Sequence, residues 1–289
     1  MQAFIRSFPA VFYLLLVSWP GSAADTLKIH LVYKHRLDDT GRSLGFTTID
    51  QKFYTPGQVL FRDIRYDEKN GQISGYTFYF YTGGKLSSEE CYNQKDSLMY
   101  ILRHDYDASG RESQVVRLIP ADGNLKAIHR TTRAYDKQGN MIRQKEYSGN
   151  KTEMSAAFEY IGPELPSRES RKFKQASLSP VKSETRTYLY NSNSSVKQVV
   201  ITGKDKKNRA FKRIEDYIYN DKGLLTSVNI SGPDFPDGLV KTYKYLDSGT
   251  ISVYQESNAA GRIGLMLQYD YKKHYMDPGT QVSYLSRKK

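Results

Sequence analysis

Tyr217-Ile218-Tyr219-Asn220-Asp221-Lys222-Gly223-Leu224 reads as the end of one strand, a tight polar turn and the start of the next strand. The aromatic and β-branched residues suit a pleated, half-buried surface. The Asn side chain can bond the turn backbone, and the Gly takes the left-handed position without a Cβ penalty. Variants stand at Tyr106-Asp107-Ala108-Ser109-Gly110-Arg111, at Tyr135-Asp136-Lys137-Gln138-Gly139-Asn140 and at Tyr245-Leu246-Asp247-Ser248-Gly249-Thr250. A stretched copy runs from Tyr66-Asp67 to Asn70-Gly71. Each copy is a self-consistent hairpin corner, and such units bury their apolar faces only by stacking on one another.

Working outward, turn signals recur near Gly41, Gly71, Gly84, Gly110, Gly123 and Gly139, then Asn193, Asn208, Gly223, Gly249 and Gly261. Gly71 and Gly84, like Gly110 and Gly123, lie 13 residues apart. That interval leaves room for one strand of about 8–10 residues between turns. Thr77 to Tyr81, Thr187 to Tyr190 and Val196 to Ile201 supply the strands themselves. The expected fold is all-β: an antiparallel up-and-down meander of Tyr-rich hairpins forming an extended, curved sheet. A short helical piece near Ser88 to Tyr100 competes with strand there. The stretch from Ile161 to Arg186 carries Pro163, Pro166 and Pro180 with few large apolar residues. It reads as a linker or long excursion, dividing a first half-array (25–160) from a second (187–289). Ser231 to Gly238 reads as a shorter irregular loop, with Phe235 docking back on the sheet.

The motif Tyr-x-Tyr-Asp/Asn-x-x-Gly resembles the YD repeats of Rhs-type bacterial proteins. It is best kept at Tyr217 to Gly223, with partial matches at Tyr106, Tyr135, Tyr190 and Tyr245. The resemblance implies a curved antiparallel sheet that encapsulates or presents another moiety, the repeats themselves being structural. This chain has no matching processing motif or toxin tip. At its length an open sheet is expected rather than a closed shell.

The N-terminus reads as a secretory signal. Arg6 supplies a positive start, Ala10 to Val17 an apolar core, and Ser22-Ala23-Ala24 the small residues before a cleavage site at Ala24. The apolar run is shorter than the roughly 20 residues a membrane-crossing helix needs. No other segment competes, so no membrane span is expected in the mature chain. Cys91 is the single cysteine, so no intramolecular disulfide can form and stability must come from ordinary burial. Its surroundings suggest a small buried strand residue. The formal charge of +12, or +11 without Arg6, favours an anionic partner.

The densest basic cluster is Lys204, Lys206, Lys207, Arg209, Lys212 and Arg213, a candidate contact for such a partner. It straddles an expected hairpin turn, where lysines also discourage edge pairing. Export argues against nucleic acid, which is not an expected partner. Catalytic patterns are missing: there is no nucleophile elbow, zinc-binding helix or phosphate loop. His30 and His35 are an odd number apart and face opposite ways on a regular strand. His104, Asp105, Glu89, Glu90 and His129 could make an active centre only by converging across strands. Asp234 and Asp237 are too few for a calcium cage. No cofactor, metal or catalytic residue is expected. An outer-membrane barrel is disfavoured, because charges interrupt both faces of strands such as Ala127 to Arg133.

Together these features describe an exported, non-enzymatic β-repeat protein of the bacterial envelope, periplasmic or secreted, that binds or scaffolds a protein or an anionic glycan or glycolipid. A narrower form is a periplasmic immunity protein that neutralises a secreted toxin. The rival class is an envelope-glycan hydrolase.

Overall fold

The structure is a computed structural model that describes residues 26–275, apart from 39, 56, 175, 176 and 178. The expected signal segment and cleavage site lie outside the described residues. The chain forms nine successive hairpins. The first four are β1 (Thr26–Leu37) with β2 (Ser43–Tyr54), β3 (Leu60–Tyr66) with β4 (Ile73–Thr82), β5 (Lys85–Asn93) with β6 (Leu98–Tyr106), and β7 (Glu112–Ala121) with β8 (Asn124–Tyr135). The middle pairs are β9 (Met141–Ser148) with β10 (Lys151–Gly162), β11 (Leu165–Phe173) with β12 (Val181–Tyr190), and β13 (Val196–Asp205) with β14 (Ala210–Tyr219). The last two are β15 (Leu225–Gly232) with β16 (Phe235–Tyr245), and β17 (Ile251–Ser257) with β18 (Ile263–Tyr275).

Every strand pairs antiparallel with its sequence neighbours, and β1 also pairs with β18, so one 18-stranded sheet closes on itself. Ile29 of β1 sits opposite Phe53 of β2 on one side and Lys272 of β18 on the other. The meander is as expected, but the open sheet is not: the molecule is a closed β-barrel. Closure removes both sheet edges, which in an open meander would present unpaired backbone groups to other chains. The segment near Ser88 to Tyr100 is the end of β5, a tight turn at 94–97 and the start of β6, with no helix.

The stretch 161–186 holds β11 and the first part of β12, each hydrogen-bonded into the same sheet. Its low apolar content has a physical reason. Glu169 and Arg171 alternate with Ser170 and Lys172, and the buried positions are filled by ion pairs rather than aliphatic side chains. Pro166 lies beside a bulge near the strand's start, where a missing N–H is tolerated. The loop expected at 231–238 is a tight turn, with Phe235 opposite Gly232 and half-buried.

The corners are built as the motif implies. The amide of Gly110 donates to the carbonyl of Asp107 (2.8 Å), and Asp107 Oδ1 accepts from the amides of Ser109 and Arg111, both at 2.9 Å. Gly110 has φ of 79°. The same geometry recurs where the glycine is replaced, at Asp96, Ser194 and Asn208, all with positive φ. This corner, a type I turn closed by a left-handed residue, occurs at both rims, while two-residue turns with positive φ at both centres close the hairpins at Gly83-Gly84 and Asp122-Gly123.

Eight repeat tyrosines add a second device. The hydroxyls of Tyr81, Tyr106, Tyr135 and Tyr160 donate to the carbonyls of Leu60, Leu86, Glu112 and Met141 at 2.7–2.9 Å. Those of Tyr190, Tyr219, Tyr245 and Tyr271 donate to Pro166, Val196, Leu225 and Ile251 over the same range. Tyr219 sits opposite Leu225 of β15 while its hydroxyl reaches Val196 of β13, so one side chain ties its strand to both neighbours. Repeated on the even strands, the bonds make a hoop around one rim.

The two faces differ. Ala156 is buried while Ala157 is exposed, and fully buried Ile201 precedes exposed Thr202. Most buried residues, including Cys91, Met154, Glu169, Val199 and Val228, share the face of Tyr188 and Tyr217. In a single closed layer, side chains converge inside and diverge outside, so the crowded tyrosine face is the inner one. Eighteen strands enclose more space than side chains can fill. Burial is accordingly local, as in the small outer-face cluster of Ile29, Phe53 and Ile64.

Candidate binding faces

Period-2 charge in β11 and β12 assembles the densest inner group. Glu169 sits opposite Arg186, and Arg171 opposite Glu184. Arg171 Nε contacts Glu169 Oε1, and its Nη1 lies 3.4 Å from Glu184 Oε1. Arg186 Nε lies 3.1 Å from Glu184 and 3.9 Å from Glu169. Tyr188 donates its hydroxyl to Glu169 Oε2 at 3.1 Å. The Glu169 side chain is only 4% exposed, so its charge depends on these partners. Burial first, and then the Glu169 carboxylate, push the Tyr188 phenol up to about 12. Two acids and two guanidinium groups make the group neutral overall.

A second inner group surrounds His104, whose side chain is 8% exposed. Its Nδ1 lies 2.6 Å from Glu112 Oε1 and its Nε2 3.1 Å from Glu89 Oε1. Both nitrogens can donate at once only when the ring is protonated. Arg133 contacts the other oxygen of Glu112. Asp105 faces outward instead, accepting from Gln114 Nε2 at 2.9 Å, and Glu90 accepts from Tyr92. His129 lies opposite Arg117 and Ser148, apart from the group. Of the five residues considered for an active centre, His104 and Glu89 meet. Glu112 is the partner sequence reasoning missed, because it joins only through the β6–β7 register.

His30 and His35 do face opposite ways. The His30 ring packs on Tyr54 and Tyr271, and His35 bonds Ser43 and Gln268. Cys91 is buried, and Arg65 Nη2 donates to its sulfur at 2.8 Å. Among the described residues, no three His, Cys, Asp or Glu side chains stand together as a metal site.

The six basic residues around the β13–β14 turn do not share one surface. Lys204 and Lys212 point outward on neighbouring rungs, and Lys207 is exposed at the turn. Arg209 pairs with Asp205 at 2.7 Å, and Lys206 Nζ contacts the Ser177 carbonyl. Arg213 points inward and pairs with Glu215 at 3.3 Å. Sequence reasoning missed Lys145 and Lys172, far from Lys204 in the chain yet on its rung. Single lysines in polar strands carry no local signal; only the register groups them.

No protein-family model matches the chain. No curated protein matches it either. Among solved structures, it is similar to a porin-like protein from Bacteroides uniformis at 14% identity, covering 86% of this chain and 97% of that one, with a TM-score of 0.39. A porin-like protein from Bacteroides vulgatus is similar at 10% identity, over 84% and 97% of the two chains, with a TM-score of 0.35. The structure of TcdB2-TccC3-TEV matches at 12% identity over 78% of this chain, with a TM-score of 0.35. The chain spans 14% of that protein's length. Likenesses at this level carry no functional argument.

Proposed function

We propose that this chain is an exported, non-enzymatic β-barrel that binds a partner in the bacterial envelope, with the outer face as its working surface. One observation carries the reading. Among the described residues, the buried inner groups around Glu169 and His104 are ion-paired, whereas cations with no ion-pair partner stand outside, at Lys145, Lys172 and Lys204. A paired inner network holds shape; an unpaired outer one is available to a ligand. Export is supported by the signal features before Asp25. A barrel in water is supported by mid-strand charge on both faces: Lys172 and Asp216 outside, Glu169 and Arg186 inside. Lipid would require an unbroken apolar band. In the narrower form of this reading, the partner is a toxin and the barrel its antagonist.

The test is an affinity pull-down from native envelope extract, washed at low and high salt. A single partner that survives high salt supports a specific binder, and its identity separates immunity from scaffold roles. Recovery of nothing at either salt concentration overturns the reading.

A hydrolase reading draws on His104 lying between Glu89 and Glu112. Glycoside hydrolysis needs two carboxyl groups facing each other across a gap for substrate, about 5–10 Å wide. Here the imidazole fills the gap. Release of reducing ends from envelope glycan, abolished by Glu89→Gln and Glu112→Gln in a folded protein, would reinstate the enzyme.

A further inference from the structure

We infer that the outer face of β9 to β13 is a docking strip for a linear carboxylated polysaccharide carrying one charge per two sugar units. This inference deepens the binding reading above and rests on it. Lys145, Ser155, Lys172, Ser183 and Lys204 are successive partners across five strands, a single rung in which lysine alternates with serine. Neighbouring strands lie about 4.8 Å apart, so the lysines recur roughly every 9–10 Å across the sheet. The adjacent rung runs Arg143, Ala157, Ser170, Thr185, Thr202 and Lys212, with a cation at each end. Neither rung contains a carboxylate. Glu153 and Glu159, the nearest acids along β10, lie off both. Among the described residues, none of these five cations takes part in an ion pair.

The floor between the cations selects the occupant. It consists of Ser, Ala and Thr, short side chains whose hydroxyls both donate and accept, matching the hydroxyl edges of an extended sugar chain. Neither rung has an aromatic ring on which the bases of a single-stranded nucleic acid could stack. Phosphates along one strand of a duplex come about every 3.4 Å, far closer than the lysines. A charged lipid would bring acyl chains, and the rungs have no apolar groove to take them. A polymer whose carboxylates alternate with neutral sugars fits both the spacing and the hydroxyl floor.

The probes are hyaluronate, in which uronate alternates with a neutral sugar, polygalacturonate, charged at every unit, and neutral dextran. Each is titrated against the exported chain and two triple variants. One is K145Q/K172Q/K204Q; the other, K69Q/K126Q/K222Q, removes equal charge from exposed sites elsewhere. Both should melt with the parent, which separates binding from folding. Hyaluronate should bind more tightly than either comparison polymer. The row variant should weaken it about tenfold or more, and the control by less than about twofold. Equal losses in the two variants, no hyaluronate binding, or dextran binding as well would overturn the assignment. Capture of a salt-resistant protein from extract by the row variant would also overturn it while leaving the binding reading standing.

Discussion

The hydroxyl of Tyr106 donates to the carbonyl of Leu86 at 2.8 Å, tying the end of β6 to the start of β5. The same relation on seven other even strands makes the tyrosine of the repeat a structural clamp.

Removing one clamp should lower stability without altering the fold. Tyr106→Phe and Tyr219→Phe each keep the ring and lose the hydroxyl bond, at a cost of about 0.5–1.5 kcal/mol. Urea unfolding of each variant checks this. A midpoint unchanged from the parent would show that water replaces the bond at no cost.

The turns make a paired prediction. Gly223 has φ of 75° and Gly139 of 94°. Valine at either position forces a β-branched residue into the left-handed region, at a cost of about 1–3 kcal/mol. Ser194, with φ of 65°, occupies the equivalent corner without being glycine. Ser194→Gly relieves that strain and should raise the melting temperature, opposite in sign to the valine changes. Equal melting temperatures across the set would remove the argument.

Glu169 is the keystone of the largest ionic group. Glu169→Ala leaves Arg171, Arg186 and the Tyr188 hydroxyl without their shared acceptor. Breaking a buried pair on one side costs about 3–5 kcal/mol, far more than loss of an exposed bridge. The exposed pair Arg209–Asp205 supplies the comparison: Arg209→Ala should cost less than about 1 kcal/mol. Chemical denaturation of the two variants side by side measures the difference.

Alkaline pH should destabilise the barrel before its arginines titrate. Burial, then hydrogen bonding to Asp96, raises Tyr76 to about 12, and Tyr188 is raised to a similar value. A phenol whose folded value exceeds its unfolded one, near 10, holds its proton more firmly in the native state. The stability it contributes is complete below pH 10 and is lost as pH rises toward 12. Tyrosinate absorbance should therefore appear late in the native protein, accompanied by a falling melting temperature. Titration of all tyrosines near 10 with no loss of stability would contradict the packing.

At the acid end the turn aspartates act with the opposite sign. Asp38 is held below the usual carboxylate range by the Thr40 side chain and the Arg42 amide, and Asp107 by the Arg111 amide and side chain. Their contribution is present above the unfolded value of 3.8 and is lost as pH falls through the lower folded values. Asp107→Asn should lower the melting temperature in the neutral region and flatten the acid limb, so that the two profiles converge at low pH.

The sequence by itself determined the hairpin corner. Tyrosine, Asx and the left-handed residue lie within a few positions of one another, and their bonds form whatever the rest of the chain does. It also determined the meander, because short turns leave each strand only its sequence neighbours to pair with. The corner at Asp96 escaped notice because it reaches positive φ without glycine. Strand β11 was hidden because ion pairs, not aliphatic side chains, fill its inner positions. Closure was decided only by the tertiary structure: whether β1 meets β18 depends on twist and stagger summed over eighteen strands, which no local window contains. The same holds for the side-chain groups assembled across strands. His104 finds Glu112, and Lys145 aligns with Lys172 and Lys204, through strand register, a non-local quantity set when neighbouring strands lock together.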